Sequence, residues 1–407
     1  MLNSKSTKFF KYNIPLALLE HIVSAISIFI VYRFVIRNLG VDLLGLWSII
    51  IAITSISSFG TSGFSSSAIK FVAKYYTKNS KNKVISVIET TLLTVLILSF
   101  TLLLIISIIL FLFKNEFFFE EEIEVIISVY PFIFLSTIIS FISSVFLSSL
   151  DGFKLIYIRS SIGIISKIFF LIFTALLINN YALMGLAIAL LIQNIISLML
   201  GGYFLKKQLH SLNLIFIRFN KTTFKEIFNY GYQFQIISIF QMLVDPLTKF
   251  LLKSYGDLTS VGYYEIIYKF LFHARQLIVV GINTIVPTIA SLYELKGNNL
   301  REKFIKTQNI IFIFSTIILT LVFSLLPILI LLVDLEMNEN ISTFSTLIFI
   351  GLFFNLISVS SYIFNVGIGR LKMNLISMII MAFSNLLFSL LFGTFFAGKG
   401  VVFGWML

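Results

Sequence analysis

Cysteine is absent from all 407 residues, which excludes disulfides, thiolate metal sites and cysteine nucleophiles and leaves the redox compartment unreadable. Histidine occurs only three times and proline five. Charged residues make up 12% of the chain, about half of what soluble domains carry. No GxxxxGK[ST], HExxH or metal-diphosphate paired-Asp motif is present. What the chain has in their place is apolar: 58% hydrophobic residues, 46 of them Phe, and a mean hydropathy of +1.02. No soluble core could hide that much Ile, Leu and Phe, so lipid must be the solvent along most of the length. A soluble enzyme, a secreted disulfide scaffold and a disordered tail protein are excluded.

About 20 apolar residues cross the hydrocarbon core as a helix. Eleven such runs are expected, at about 14–36, 43–63, 85–113, 125–149, 157–178, 183–205, 230–252, 261–288, 308–333, 341–364 and 374–396. A fragment of a twelfth begins at Val401. The first run follows Lys5, Lys8 and Lys11, is too long for a signal-peptide core and lacks a small-residue cleavage site, so it is expected to be retained.

The net charge of +12 resides in short clusters between apolar runs rather than on one folded face. With the N-terminus inside, 21 of the 30 Lys and Arg fall on the inner side, while Arg37, Lys114, Lys253 and Lys399 fall outside. The positive-inside bias therefore predicts a cytoplasmic N-terminus and cytoplasmic segments around Lys78, Lys206 and Arg301. The longest connection, 206–229, is basic with an apolar face (Leu214, Ile215, Phe216, Ile217, Phe224, Ile227, Phe228) and reads as a helix lying on the inner leaflet.

A weak internal repeat supports a division into halves. A shift of 216 lays Tyr32 to Gly40 on Thr248 to Gly256, and one residue later Gly45-Leu46-Trp47 meets Gly262-Tyr263-Tyr264. Six spans per unit is an even number, so the repeat is parallel. The expected organisation is an all-α polytopic membrane protein of about 12 transmembrane helices: a six-helix bundle at 1–205, a basic linker helix at 206–229 and a second bundle at 230–407 whose last helix is incomplete. Pairing Gly185 with Gly404 places the expected end of the sixth span's partner about 15 to 20 residues beyond Leu407.

Ionisable residues inside spans are expensive in lipid, roughly 2.5 to 3.5 kcal/mol each at the midplane, and usually face a bundle interior or a watery cavity. They are Glu20, Arg33, Glu89, Lys167, Asp245, Lys249, Glu265, Lys269 and Arg275. Gln241, Asp245 and Lys249 recur every four residues, and Glu265, Lys269, His273 and Gln276 follow at four, four and three, so each set occupies one helical face. Two such stripes could line one pathway. The competing reading is intrahelical pairing of Asp245 with Lys249 and of Glu265 with Lys269. Lys167 is about ten residues into its span, too deep for easy snorkelling, whereas Arg33 and Lys249 are about four residues from the outer boundary and could reach the headgroups. Glu20 shares a stripe with Ser24 and Ser27, and Glu89 is close to its loop. Asp245 is about 12 Å below the outer boundary beside Pro246, whose ring frees a backbone carbonyl one turn back, a combination suited to a proton or sodium ion. Pro131, Pro287 and Pro327 mark further kinks without specifying a ligand.

Several of these residues carry a resemblance. Asn38-Leu39-Gly40, Gly45-Leu46-Trp47, Gly60 and Gly63 ahead of Lys70-Phe71-Val72-Ala73 look like the opening signature of bacterial polysaccharide flippases of the multidrug/oligosaccharidyl-lipid/polysaccharide exporter superfamily. Leu150-Asp151-Gly152, Met184 to Ala189, Asp245 with Lys249, and Gly256 with Val261-Gly262-Tyr263-Tyr264 extend it over both halves. The resemblance implies two six-helix bundles around a cationic cavity, rocking against one another to move undecaprenyl-diphosphate-linked oligosaccharide from the inner to the outer leaflet of the bacterial cytoplasmic membrane. The product would be a cell-surface polysaccharide such as O-antigen or capsule, with polymerase machinery as a partner and no cofactor.

On that basis Arg33, Lys167, Gln241, Lys249, Lys269 and Arg275 are the candidate substrate-binding residues, and Asp245, Glu20 and Glu265 the ion-coupling candidates. The in-span balance of five basic to four acidic groups suits a diphosphate. A multidrug or cation antiporter of the same superfamily would need an acid-dominated cavity. A membrane polymerase or ligase would be expected to carry a long external loop with catalytic residues, and none is present.

Overall fold

The computed structural model describes residues 2–209, 218–283, 285, 289, 293 and 300–407. Among them the regular elements are all helical: α1 (Leu2–Leu39), α2 (Val41–Ser55), a 3-10 turn (Ile56–Gly60), α3 (Ser62–Thr77), α4 (Lys81–Phe117), α5 (Glu120–Gly152), α6 (Ile156–Gln208), α7 (Lys221–Tyr255), α8 (Leu258–Asn283), α9 (Leu300–Leu332), α10 (Glu339–Ile368) and α11 (Leu371–Met406).

Two of these are hairpins rather than single rods. α6 runs for 53 residues, yet Ala182 has φ 48° and ψ −133°, which reverses the chain between an arm at 156–181 and an arm at 183–208. Ala397 in α11 has nearly the same angles, φ 52° and ψ −139°. Nine described helices are long and apolar enough to span a membrane. Taking the arms of α6 separately and adding α8 gives the eleven spans expected, with the start of a twelfth after Ala397. The protein is thus a polytopic all-α membrane protein.

The hairpins also set the repeat register. A Cβ at Gly185 would come 2.6 Å from the carbonyl oxygen of Leu177, and one at Gly400 would come 1.9 Å from that of Phe392. Both glycines follow the reversal by three residues and press on the carbonyl eight residues earlier, where any side chain would separate the arms. Gly400, and not Gly404, is therefore the counterpart of Gly185, a shift of 215 that agrees with the shift of 216 at the start of each half. Turn geometry fixes this equivalence, and glycine letters alone could not distinguish among Gly398, Gly400 and Gly404.

The second span also differs from its expected limits. It ends at Ser58 in the 3-10 turn, where Ser57 and Ser58 hydroxyls donate to backbone carbonyls three residues back, and the chain goes on as the separate helix α3 through Lys70 and Lys74 to Thr77. α3 is amphipathic. Phe71, Val72 and Tyr75 are buried while Lys70 and Lys74 are exposed, so a basic stretch that reads as a loop folds as a helix. The segment 221–229 is the first part of α7, continuous with the seventh span. Residues 210–217, which include Leu214 to Ile217, are outside the described residues.

The chain forms two compact units. The first comprises 1–34 and 50–242, the second 35–49 and 243–407. In the first, a core of Phe64, Phe71, Val72, Val84, Val87, Val95, Phe141, Val145 and Ile227 joins α3, α4, α5 and the first turns of α7. Interior polar groups bond across helices, as membrane interiors favour: the hydroxyls of Ser143 and Ser197 are 2.7 Å apart, and Asn194 Nδ2 donates to Ser136 Oγ at 2.8 Å. Tyr75 of α3 donates to Glu226 Oε2 of α7 at 2.6 Å, and this bond, followed by burial and the carboxylate's charge, pushes the phenol up to about 12.

In the second unit, α2 and α8 cross at Gly45 and Gly262. A Cβ at Gly45 would come 2.2 Å from Leu258 O, and one at Gly262 would come 2.6 Å from Val41 O. These are the two glycines that the repeat equates, so the equivalent helices meet reciprocally. α10 shows conventional caps: Asn338 accepts from the Ile341 N–H at 2.8 Å, and Gly369, at φ 81°, ends the helix.

Candidate functional site

Each compact unit holds a cluster of two acids and two bases. In the second unit the cluster lies where α7 faces α8. Lys249 is only 2% exposed, and its Nζ is 2.8 Å from Asp245 Oδ2 and 2.8 Å from Glu265 Oε2. Glu265, also buried, has its other oxygen 3.7 Å from Lys269 Nζ. The two stripes legible in the sequence are therefore joined: both intrahelical pairs form, and a bond between helices links them. A lysine this deep is tolerable only because two carboxylates surround it, and removal of one would leave uncompensated charge. Asp245 is partly exposed, at 32% of its side chain, yet its Oδ1 is a buried atom with no hydrogen-bond partner among the described residues. One face of the cluster thus has spare acceptor capacity.

Alongside these charges on α8, Tyr264, Tyr268 and Phe272 stack at successive turns, with ring centroids 5.4 and 5.3 Å apart. Trp405 meets Tyr264 and Tyr268 edge-on. Arg275 is near the end of this ladder, its guanidinium carbon 5.5 Å from the Phe272 ring centre. Its Nε donates to Asn355 Oδ1 at 2.8 Å. Among the described residues the two terminal nitrogens of Arg275 have no hydrogen-bond partner and no carboxylate. A guanidinium anchored through Nε and open at its fork suits a planar oxyanion.

In the first unit the cluster brings together α1, the end of α5 and the start of α6. Arg159 Nη2 is 3.2 Å from Glu20 Oε2, and Arg159 Nε is 3.2 Å from Asp151 Oδ1. Lys167, half-buried two turns along α6, has no hydrogen bond and no ion pair within 4 Å among the described residues. The field at Lys167 comes from Glu20 and, with opposite sign, from Arg159.

The remaining candidates are more scattered. Gln241 and Arg33 are exposed on α7 and α1. Glu89 is buried, and its carboxylate accepts from the Arg218 N–H at 3.3 Å, a structural tie within the first unit. Sequence reasoning did not single out Arg159, Asp151 or Asn355 for a site role. The spacing Arg159-Gly163-Lys167, one turn and one turn on a single face of α6, is the signal that could have found the first of these. Among the described residues no group of three or more His, Asp or Glu could hold a metal ion.

The profile of the polysaccharide biosynthesis protein family matches residues 11–293. No curated protein matches the chain. Among solved structures, an inward-facing multidrug resistance MATE family transporter of the MOP superfamily is 14% identical with a TM-score of 0.82, covering 93% of this chain and 90% of that one. An outward-facing structure of such a transporter gives 16% identity and a TM-score of 0.70, covering 98% and 91%. A MOP superfamily transporter from Pyrococcus furiosus, described as having a binding pocket of reverse polarity that suggests a different function, is 15% identical with a TM-score of 0.72, over 98% and 91%. At these identities the likeness establishes the fold.

Proposed function

Because the chain belongs to the polysaccharide biosynthesis protein family, we propose that it is a flippase carrying an undecaprenyl-diphosphate-linked oligosaccharide from the inner to the outer leaflet of the bacterial cytoplasmic membrane. In this reading it works by alternating access, with the N-terminus in the cytoplasm. The observation that carries the reading is the pair of in-span cations that have no ion pair within 4 Å among the described residues: Lys167 in the first unit, near Glu20, and Arg275 in the second, with its fork open. A diphosphate cannot cross hydrocarbon with its charge uncompensated. A cationic drug would be repelled by the same two groups, which is the physical ground for preferring a phosphorylated lipid to a drug as the cargo.

Lys269 adds a third cation, only loosely held by Glu265 at 3.7 Å, while Lys249 serves chiefly to neutralise its two carboxylates. Coupling to a proton or sodium ion is assigned to Asp245, whose Oδ1 lacks a partner and which neighbours the carbonyl of Met242 freed by Pro246. The matching experiment replaces Lys167 or Arg275 by Gln in the native host. Surface polysaccharide falls at least tenfold while protein abundance stays near normal, since loss of a cavity charge need not harm packing. Parallel loss of abundance and polysaccharide would assign these residues to stability instead.

A further inference from the structure

The first unit contains a basic strip that is already covered by a carboxylate. Arg159, Gly163 and Lys167 follow one another at four-residue intervals on α6, so they share one face. Glu20 of α1 extends across the middle of that face. Its Oε2 is 3.2 Å from Arg159 Nη2, and a Cβ built at Gly163 would come within 2.3 Å of its Oε1. Glycine at 163 is what lets the carboxylate settle between the two cations. Arg159 is also ion-paired with Asp151 at 3.2 Å, a second carboxylate besides Glu20. Lys167 has no ion pair among the described residues, and Glu20 is the opposite charge that acts on it. His21, next to Glu20, also faces the strip's field.

We propose that Glu20 is a resident stand-in for the substrate's phosphate: Arg159 and Lys167, spaced by Gly163, form an oxyanion site that the diphosphate of the lipid-linked cargo enters by displacing the Glu20 carboxylate. This deepens the function proposed above and rests on its diphosphate cargo. The exchange sets the two negative charges of the diphosphate against both Arg159 and Lys167, where the single charge of Glu20 is paired with Arg159 alone, and it requires the released carboxylate, 13% exposed, to turn away from the strip. Empty of cargo, the strip stays neutralised and costs little in the membrane. The same displacement makes the site selective, since a neutral or cationic molecule has no means of dislodging the carboxylate.

The test is equilibrium binding of farnesyl diphosphate, and separately of inorganic pyrophosphate, to the full chain in nanodiscs. Glu20→Gln removes the competitor and should tighten binding about tenfold. Gly163→Ala keeps every charge but pushes the carboxylate off the strip, because the atom in the way is the end of a flexible side chain, and should tighten binding in the same direction. Arg159→Gln and Lys167→Gln should each weaken it about tenfold. Tightening with both probes assigns the site to the diphosphate itself, and tightening with farnesyl diphosphate alone assigns it to the lipid-linked headgroup; either supports the inference. If Lys167→Gln weakens binding but Glu20→Gln and Gly163→Ala leave it unchanged or weaken it, the stand-in role is overturned while the diphosphate cargo survives. If wild type and Glu20→Gln both fail to bind either probe, both fall together.

Discussion

At the scale of single residues, some costly choices are compensated by neighbours and others are not. Ala182 and Ala397 occupy backbone conformations that side chains rarely adopt, and both are exposed, so a Cβ there brings strain without burial. Replacing either by Gly should stabilise the protein by about 1 kcal/mol, read as a rise of a few degrees in apparent unfolding temperature in detergent. An unchanged or lower value would show that the reversal is unstrained. Tyr75 offers a pH test outside the membrane-spanning segments. Its phenol is raised from 10.0 to about 12 by the bond to Glu226, so the bond's stabilising contribution is complete below pH 10 and is lost as pH rises through about 12. The phenolate difference absorbance between wild type and Tyr75→Phe should titrate near pH 12, and a midpoint near 10 would mean that the α3–α7 clamp does not form. Lys249 was legible as half of an i,i+4 pair. Its second carboxylate, Glu265, was not, because that contact depends on how α7 packs against α8 and no spacing within one helix encodes it.

At the scale of helices, most of the fold was readable because each span must satisfy its backbone internally and exceed a minimum apolar length. Among the described residues nine helices are long and apolar enough to span, and counting the two arms of α6 and the more charged α8 matches the eleven runs; the repeat glycines Gly45 and Gly262 proved to be contact points, and the glycine of the sixth span found its partner at Gly400. α3 escaped notice for a definite reason. It buries only one face, against α4, α5 and α7, so its composition resembles that of a loop. The breaks at 179–182 and 397–400 were legible from the span limits, but the turn geometry at Ala182 and Ala397 was not, because Ala stands where such geometry usually recruits Gly. Topology remains the element-scale claim most open to test. Lys78, at the end of α3, falls on the side predicted to be cytoplasmic. A Lys78→Cys variant, the sole cysteine in the chain, should react with a membrane-impermeant maleimide only after the cells are opened, and labelling of intact cells would invert the orientation.

At the scale of the whole molecule, each compact unit holds a quartet of two acids and two bases. In the first unit Lys167 is the member without an ion pair among the described residues, and in the second all four members are linked and Arg275 stands beyond them. The excess of in-span bases was visible in the sequence, as were the pairs of Asp245 with Lys249 and Glu265 with Lys269, whereas the first-unit partners were not, since Arg159 read as an ordinary inner-side charge and Asp151 entered only through the resemblance. The central claim is that this arrangement serves passage of a diphosphate-linked sugar. The most direct measurement reconstitutes the purified protein in vesicles containing an undecaprenyl-diphosphate-linked oligosaccharide and follows the loss of headgroups accessible to an external glycosidase. Wild type should transfer headgroups at least tenfold faster than protein-free vesicles, Lys167→Gln and Arg275→Gln should fall toward the protein-free rate, and Asp245→Asn should keep slow exchange but lose its response to an imposed proton or sodium gradient. Transfer by the wild-type protein no faster than in protein-free vesicles, with or without a gradient, would contradict the account.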